Sequence, residues 1–211
     1  SHLSRNMPLT EEIILEFKNY VSWDTVARLK DLSEDFMREY ADVMDWDFLQ
    51  RNRTFTEDFM LEMQDRLDIN YLIRSRKVSL DFIGRVKDKV DWEYVCRNIP
   101  LTEQFMREFH DYMLWEAIEK KQNLSADFIA DFQDKLNVNY FLQRDPSLVS
   151  SDFIGKVKDN VNWEYVCRNI SLSEQFMREY KDYLLWDVIV KKQNLSMDFI
   201  ADFQDKLNVN Y

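Results

Sequence analysis

The sequence predicts an all-α protein, an α-solenoid of tandem helix-turn-helix repeats of about 23 residues. Three observations carry this. A leucine-like residue followed by Ser or Thr recurs at Leu9, Leu32, Phe55, Val78, Leu101, Leu124, Val149, Leu172 and Leu195. The spacing is 23 residues except between Leu124 and Val149, where it is 25. With 2 Gly and 3 Pro in 211 residues, the chain lacks the turn residues of a β-rich fold. At 45% hydrophobic and 15% aromatic residues it still has ample material for a continuous core.

Each repeat divides into two predicted helices. Position 2 is Ser or Thr throughout (Thr10, Ser33, Thr56, Ser79, Thr102, Ser125, Ser150, Ser173, Ser196) and is mostly followed by acids or amides. That is the pattern of an N-cap with negative charge at the positive end of the helix dipole. Apolar residues at positions 5, 6, 9 and 13, such as Phe36, Met37, Tyr40 and Met44, form one stripe and predict a first helix of about ten residues. Asp or Asn at position 14 (Asp45, Asp68, Asp91, Asn137, Asn162, Asn208) predicts the cap of a second helix of about two turns. Isolated helices this short are marginal in water, so stability must come from stacking of neighbouring repeats.

A slower rhythm overlies the first. Position 15 reads Trp23, Trp46, Ile69, then Trp92, Trp115, Val138, then Trp163, Trp186, Val209, which accounts for all 6 tryptophans. Residues 149–211 match 78–140 at 50 of 63 positions, so the triplet reads as a duplicated block rather than as one superhelical turn. The predicted organisation is one repeat domain over 1–211 with triplets at 9–77, 78–148 and 149–211. The two extra residues are expected in the turn-rich stretch Gln143–Leu148. The ninth repeat stops at Tyr211, part-way through its second helix, which points to a longer parent protein or to a partner at that end; Ser1-His2 reads as a tag remnant.

The net charge of −11 disfavours a generic nucleic-acid or anionic-membrane surface. Cys96 and Cys167 occupy equivalent positions 71 residues apart, so they are expected to be free core residues rather than a disulfide, whose Cα atoms must approach within about 7 Å. No apolar run approaches the roughly 18 residues of a membrane span, and SHLSRNMPLT lacks signal-peptide character, so a soluble protein of a reducing compartment is expected.

The segments Phe82-Ile83-Gly84-Arg85-Val86-Lys87-Asp88-Lys89-Val90-Asp91-Trp92 and Leu32-Ser33-Glu34-Asp35-Phe36-Met37-Arg38-Glu39-Tyr40 resemble a short helical tandem repeat of large DNA viruses, of the form L-S-E-x-F-I-x-x-F-K-D-K-V-x-W. The resemblance covers almost the whole chain. It implies an origin in a large or giant DNA virus and a place in the infected host cytoplasm or the virion, but no particular activity. The repeats with Ile69, Val138 and Val209 depart from its tryptophan.

Two rows of residues are candidates for chemistry. Position 11 is acidic in eight repeats (Asp42, Asp65, Asp88, Asp111, Asp134, Asp159, Asp182, Asp205), with Asn19 in the first. Position 20 is cationic (Arg28, Arg51, Arg74, Arg97, Lys120, Arg168, Lys191), with Gln143 the exception. The expectation is a structural ladder in which these aspartates pair with the position-20 cations or bond turn amides. A metal row is disfavoured, because stacked helices lie roughly 8–10 Å apart and a metal needs ligands converging on one point. An unpaired cationic row would instead be a partner-binding stripe, with RNA as the alternative ligand.

The remaining recurrent residues read as packing. The position-17 rings Tyr71, Tyr94, Tyr140, Tyr165, Tyr211 and Phe48 are expected between repeats. The position-6 methionines Met37, Met60, Met106 and Met177 are expected to be core filler. His110 is replaced by Lys181 in the next triplet, which removes the best general base. No phosphate loop, Cys/His metal spacing or Ser/His/Asp set is present in the sequence, so neither an enzyme nor a cofactor is expected. The leading expectation is a scaffold for a protein partner, with specificity in residues that differ between triplets: Leu80 against Ser151, His110 against Lys181, Glu119 against Val190, Ala126 against Met197. The alternative is a structural spacer or virion component that self-associates end to end.

Overall fold

A computed structural model describes residues 10–29 and 31–207. The described residues form short helices and turns with no strand, an all-α solenoid of tandem helix pairs. Leu9, Asn208, Val209 and Tyr211, named above, lie outside the described residues, as do Ser1 and His2. The chain divides into two compact parts, Ser1–Val95 and Cys96–Tyr211, and the division falls inside the helix Trp92–Asn98 rather than at a triplet edge. In the first part the leading helices of the repeats are Glu11–Glu16, Glu34–Glu39, Glu57–Glu62 and Leu80–Arg85, and the second helices include Trp46–Asn52 and Ile69–Ser75. In the second part the leading helices are Glu103–Glu108, Ala126–Asp131, Ser151–Val157, Glu174–Glu179 and Met197–Asp202; the second helices include Trp115–Lys121, Val138–Arg144, Trp163–Asn169 and Trp186–Lys192.

Both predicted caps are formed. In the second to ninth repeats the position-2 hydroxyl accepts from the backbone N–H of the position-5 Phe, as from Phe36 to Ser33 at 3.0 Å and from Phe199 to Ser196 at 3.2 Å. The position-14 Asp or Asn caps the second helix in the same way, as Asp45 does for Phe48 at 3.0 Å and Asn162 for Tyr165 at 3.0 Å. The two extra residues fall where expected. The helix Val138–Arg144 keeps the usual seven residues, and a 3-10 turn Pro146–Leu148, capped by Asp145, follows it.

The first helix is shorter than the periodicity predicts, typically six residues instead of ten. The i→i+4 ladder ends at position 9, and the chain tightens into 3-10 bonds such as Tyr112 N–H to Phe109 O at 2.9 Å and Tyr183 N–H to Tyr180 O at 2.9 Å. The tightened turn still buries position 13 (Met44, Leu67, Met113, Leu136, Leu184, Leu207), so the apolar stripe runs past the true helix end. The tryptophans satisfy a carbonyl that this early ending leaves open. The indole N–H of Trp46, Trp92, Trp163 and Trp186 donates to the position-10 carbonyl five residues earlier, at 2.7–3.1 Å.

Like packs on like between successive repeats. The first helix Ala126–Asp131 contacts Ser151–Val157, and the second helix Trp163–Asn169 contacts Trp186–Lys192. In each part the position-5 Phe and the position-6 methionines Met37, Met60, Met106 and Met177 are buried. The position-15 residue of one repeat sits against positions 5 and 9 of the next. Trp23 stacks on Tyr40 with centroids 5.1 Å apart, Trp115 on Phe132 at 4.8 Å and Trp186 on Phe203 at 4.9 Å. Where position 15 is Ile69 or Val138, position 9 of the following repeat is Val86 or Val157, and all four are buried. The triplet rhythm therefore has a volume counterpart, large on large and small on small.

Candidate interaction surface

The position-20 cations project from the second helices. Arg74 pairs with Asp91, the capping acid of the following repeat, and its guanidinium lies 5.2 Å from the centre of the Tyr94 ring. Arg28 lies 4.6 Å from the Phe48 ring centre in the same relation. Lys120 pairs with Glu116 at 2.7 Å and Arg168 with Glu164 at 3.0 Å, each one turn back on its own helix. Arg97 is engaged as well. Arg51 and Lys191 have no ion pair among the described residues.

Among the ion pairs of the described residues, Asp42, Asp65, Asp111, Asp134 and Asp182 do not meet this row. They lie in the turn after the short first helix, and three of them meet position 12 of the next repeat. Asp42 pairs with Arg66, Asp65 with Lys89, and Asp182 with Lys206 at 4.0 Å. Asp111 has His110 beside it at 3.4 Å and Asp134 has Lys135 at 3.4 Å. Asp88 is also engaged, while Asp159 and Asp205 make no ion pair among the described residues. Helix length accounts for this placement: a ten-residue helix would carry position 11 in its last turn, whereas the six-residue helix leaves it on the connecting turn. A further exposed ladder joins first helices, Arg38 to Glu62 at 2.7 Å, Arg107 to Asp131 at 2.7 Å and Arg178 to Asp202 at 2.6 Å. Such exposed pairs are screened by solvent and add little to stability.

The residues that bridge repeats most closely were not singled out by their pattern. Glutamate at position 3 accepts from the N–H and hydroxyl of the next repeat's capping residue: Glu34 from Thr56 at 2.7 and 2.8 Å, Glu103 from Ser125 at 2.6 and 3.0 Å, Glu174 from Ser196 at 2.6 and 3.0 Å. These bonds hold the Glu174 carboxyl below its ordinary range, the backbone N–H of Ser196 being the main cause. Position 22 reaches back to the preceding repeat. Gln193 Nε2 donates to Cys167 O at 3.0 Å and Ile170 O at 2.8 Å, while its Oε1 accepts from Leu172 N–H at 2.9 Å. Gln122 does the same for Cys96, Ile99 and Leu101, and Arg76 caps Gln50 and Arg53. Positions 16 and 19 accept from the N–H at position 14 of the next repeat, as Asn139 does from Asn162 at 2.6 Å and Glu119 from Asn137 at 2.8 Å. The identical Gln122 and Gln193 were the one visible signal of this role.

Three of the four differing pairs named above stand at these clamp positions: Leu80 and Ser151, Ala126 and Met197 at position 3, Glu119 and Val190 at position 19. Met197 is 71% exposed and Val190 42%. At the Ser151 junction an open cleft of about 360 Å³ is lined by Ser150, Ser151, Ser171, Leu172, Ser173 and Gln175. His110 and Lys181 face solvent. Tyr71, Tyr94, Tyr140, Tyr165 and Phe48 are half-buried between repeats. Cys96 and Cys167 are buried and free, and burial pushes both thiols up. Cys96 Sγ accepts from Leu114 N–H at 3.4 Å, occupying the same position-19 slot as Glu119. No group of three or more His, Cys, Asp or Glu suited to a metal ion occurs among the described residues, and no described helix is long and apolar enough to cross a membrane.

Comparison with protein-family models, with curated proteins and with solved structures finds no match to this chain.

Proposed function

We propose that this chain is a non-enzymatic repeat scaffold that mediates protein–protein interaction, of the helical tandem-repeat kind found in large DNA viruses, acting in the reducing cytoplasm of the infected cell or in the virion. The observation that carries the reading is the fate of the recurrent residues. Caps, tryptophans, glutamates and glutamines are consumed in bonds and ring contacts within and between repeats, and residues that break the period, such as Met197 and Val190, stand exposed beside the outward rows. Such surfaces fit an extended partner better than a small substrate.

The state of the position-20 row favours a protein over RNA. Arg74, Lys120 and Arg168 already have acidic partners, and the chain carries −11 overall, so no continuous free stripe is left to release counterions from phosphates. The test is a crosslinking capture from infected cells, with the wild-type chain set against a variant carrying Arg51→Glu, His110→Glu and Lys181→Glu. A specific protein retained by the wild type and lost with the variant supports the reading. No protein partner together with low-salt binding of single-stranded RNA would replace it with the nucleic-acid alternative.

A further inference from the structure

The receptor of the position-22 clamp is left open between repeats five and six, beside a cleft. At two neighbouring junctions of the second part this receptor is the same: the carbonyls at positions 19 and 22 of one repeat and the N–H at position 1 of the next. Gln122 closes Cys96 O, Ile99 O and Leu101 N–H, and Gln193 closes Cys167 O, Ile170 O and Leu172 N–H, all at 2.8–3.2 Å. Both glutamines are in extended backbone, and both stand in the sequence Lys-Gln-Asn-Leu. The counterparts between repeats five and six are Glu119 O, Gln122 O and Leu124 N–H, and position 22 is Asp145. A carboxylate has no proton for a carbonyl, and that of Asp145 turns to its own chain, accepting from Ser147 N–H at 3.0 Å and from its hydroxyl at 2.5 Å. Among the described residues no hydrogen bond reaches Glu119 O, Gln122 O or Leu124 N–H. Position 22 of repeats four and seven holds Ile99, half-buried, and Ile170, buried, whereas Asp145 is exposed. The adjoining cleft, of about 230 Å³, is lined by the buried Ile129 and Phe141, by Leu148, and by Gln122, Leu124 and Asp145.

We infer that this cleft binds the primary carboxamide of a glutamine side chain, presented in extended conformation by a partner protein. Two carbonyls and one N–H call for an NH2 group and an oxygen on the same side chain, which only a carboxamide carries. Ammonium and guanidinium lack the acceptor, carboxylate lacks the donors and a hydroxyl lacks the second donor. Arg76, which bonds Gln50 O and Arg53 O, supplies donors alone. Glutamine is chosen over asparagine because both internal occupants have its length, and the Ile129–Phe141 wall takes the apolar residue that follows it. The inference rests on the scaffold reading and names the chemistry of one contact.

The test is a nitrogen-15 NMR titration of the full chain with the peptide acetyl-Lys-Gln-Asn-Leu-amide, the sequence of both internal clamps. Saturable shifts of the Leu124 amide are expected. Glutamate in place of the peptide's glutamine is expected to weaken binding by at least about tenfold, because the carbonyls then meet an acceptor. Asp145→Gln is expected to weaken it as much, since the chain's own amide then fills the receptor, and to raise the thermal midpoint. Asp145 is exposed, so this variant keeps the fold, which circular dichroism checks. No shift at Leu124, equal binding of a glutamate or arginine peptide, or indifference to Asp145→Gln each overturns the proposal. Capture of a partner that depends on Arg51, His110 and Lys181, with no peptide binding at Leu124, would overturn this inference and leave the scaffold reading standing.

Discussion

Gln193 shows what a single residue does in this chain. Its amide closes three backbone groups at once, two carbonyls at the end of the preceding second helix and the N–H of Leu172. Replacement by Ala strands all three at a half-buried site, and Gln193→Ala is expected to destabilise by about 1–3 kcal/mol in urea unfolding. Glu174 holds the next cap from outside, and its folded pKa is depressed. A depressed carboxylate contributes stability above its unfolded pKa of about 4, and loses it as pH falls through the lower folded value. Asp65, Asp91 and Asp127 shift the same way, chiefly through Lys89, the Tyr94 amide and Lys156 respectively. The thermal midpoint is therefore expected to drop between pH 5 and pH 3, and the part of that drop due to Glu174 to vanish in Glu174→Gln. Cys96 and Cys167 are sealed and protonated, so a thiol reagent at pH 7 is expected to label neither until denaturant is added.

At the scale of the helix pair, the unit of stability is the contact between the position-15 residue and the ring one repeat on. Trp163 meets Phe176, Tyr180 and Tyr183, with centroids 5.1–6.4 Å apart. Tyr180 also donates to Ser151 O at 2.8 Å, and a Cβ on Gly155 would come within 3.3 Å of its hydroxyl. Trp163→Val is expected to cost about 2 kcal/mol. Trp163→Val with Tyr180→Val recreates the small-on-small pairing of Val138 and Val157, and the double variant is expected to lose about 1 kcal/mol less than the sum of the singles in a double-mutant cycle. Additive losses would show that the volume matching is coincidental. The periodicity extended the first helix to ten residues because positions 5, 9 and 13 fit one helical face. A 3-10 turn also keeps position 13 inward, so apolar spacing alone does not mark where the ladder changes.

Within each of the two parts, helices pack on their counterparts in the adjacent repeat, as Glu57–Glu62 does with Leu80–Arg85 in the first and Trp163–Asn169 with Trp186–Lys192 in the second. Stability is then close to a sum of nearest-neighbour terms. Ile189→Asp, which places a charge in a fully buried site of the eighth repeat, is expected to accelerate hydrogen exchange in that repeat and its neighbours while repeats two and three stay protected. Uniform loss of protection along the chain would contradict this one-dimensional behaviour.

By itself, the sequence determined the helix pairs, their caps, the site of the two-residue insertion and the buried faces, because those follow from local periodicity and from hydroxyl or carboxylate side chains bonding their own backbone. Only the tertiary structure decided which charges meet. Asp42, Asp65 and Asp182 at position 11 found position 12 of the next repeat instead of position 20, and glutamates at position 3 and glutamines at position 22 became the clamps between repeats. A partner 22 to 26 residues away is set by how one repeat is rotated and displaced on the next. That rotation is fixed by the packing of tryptophan, phenylalanine and valine against one another, which no spacing along the chain records.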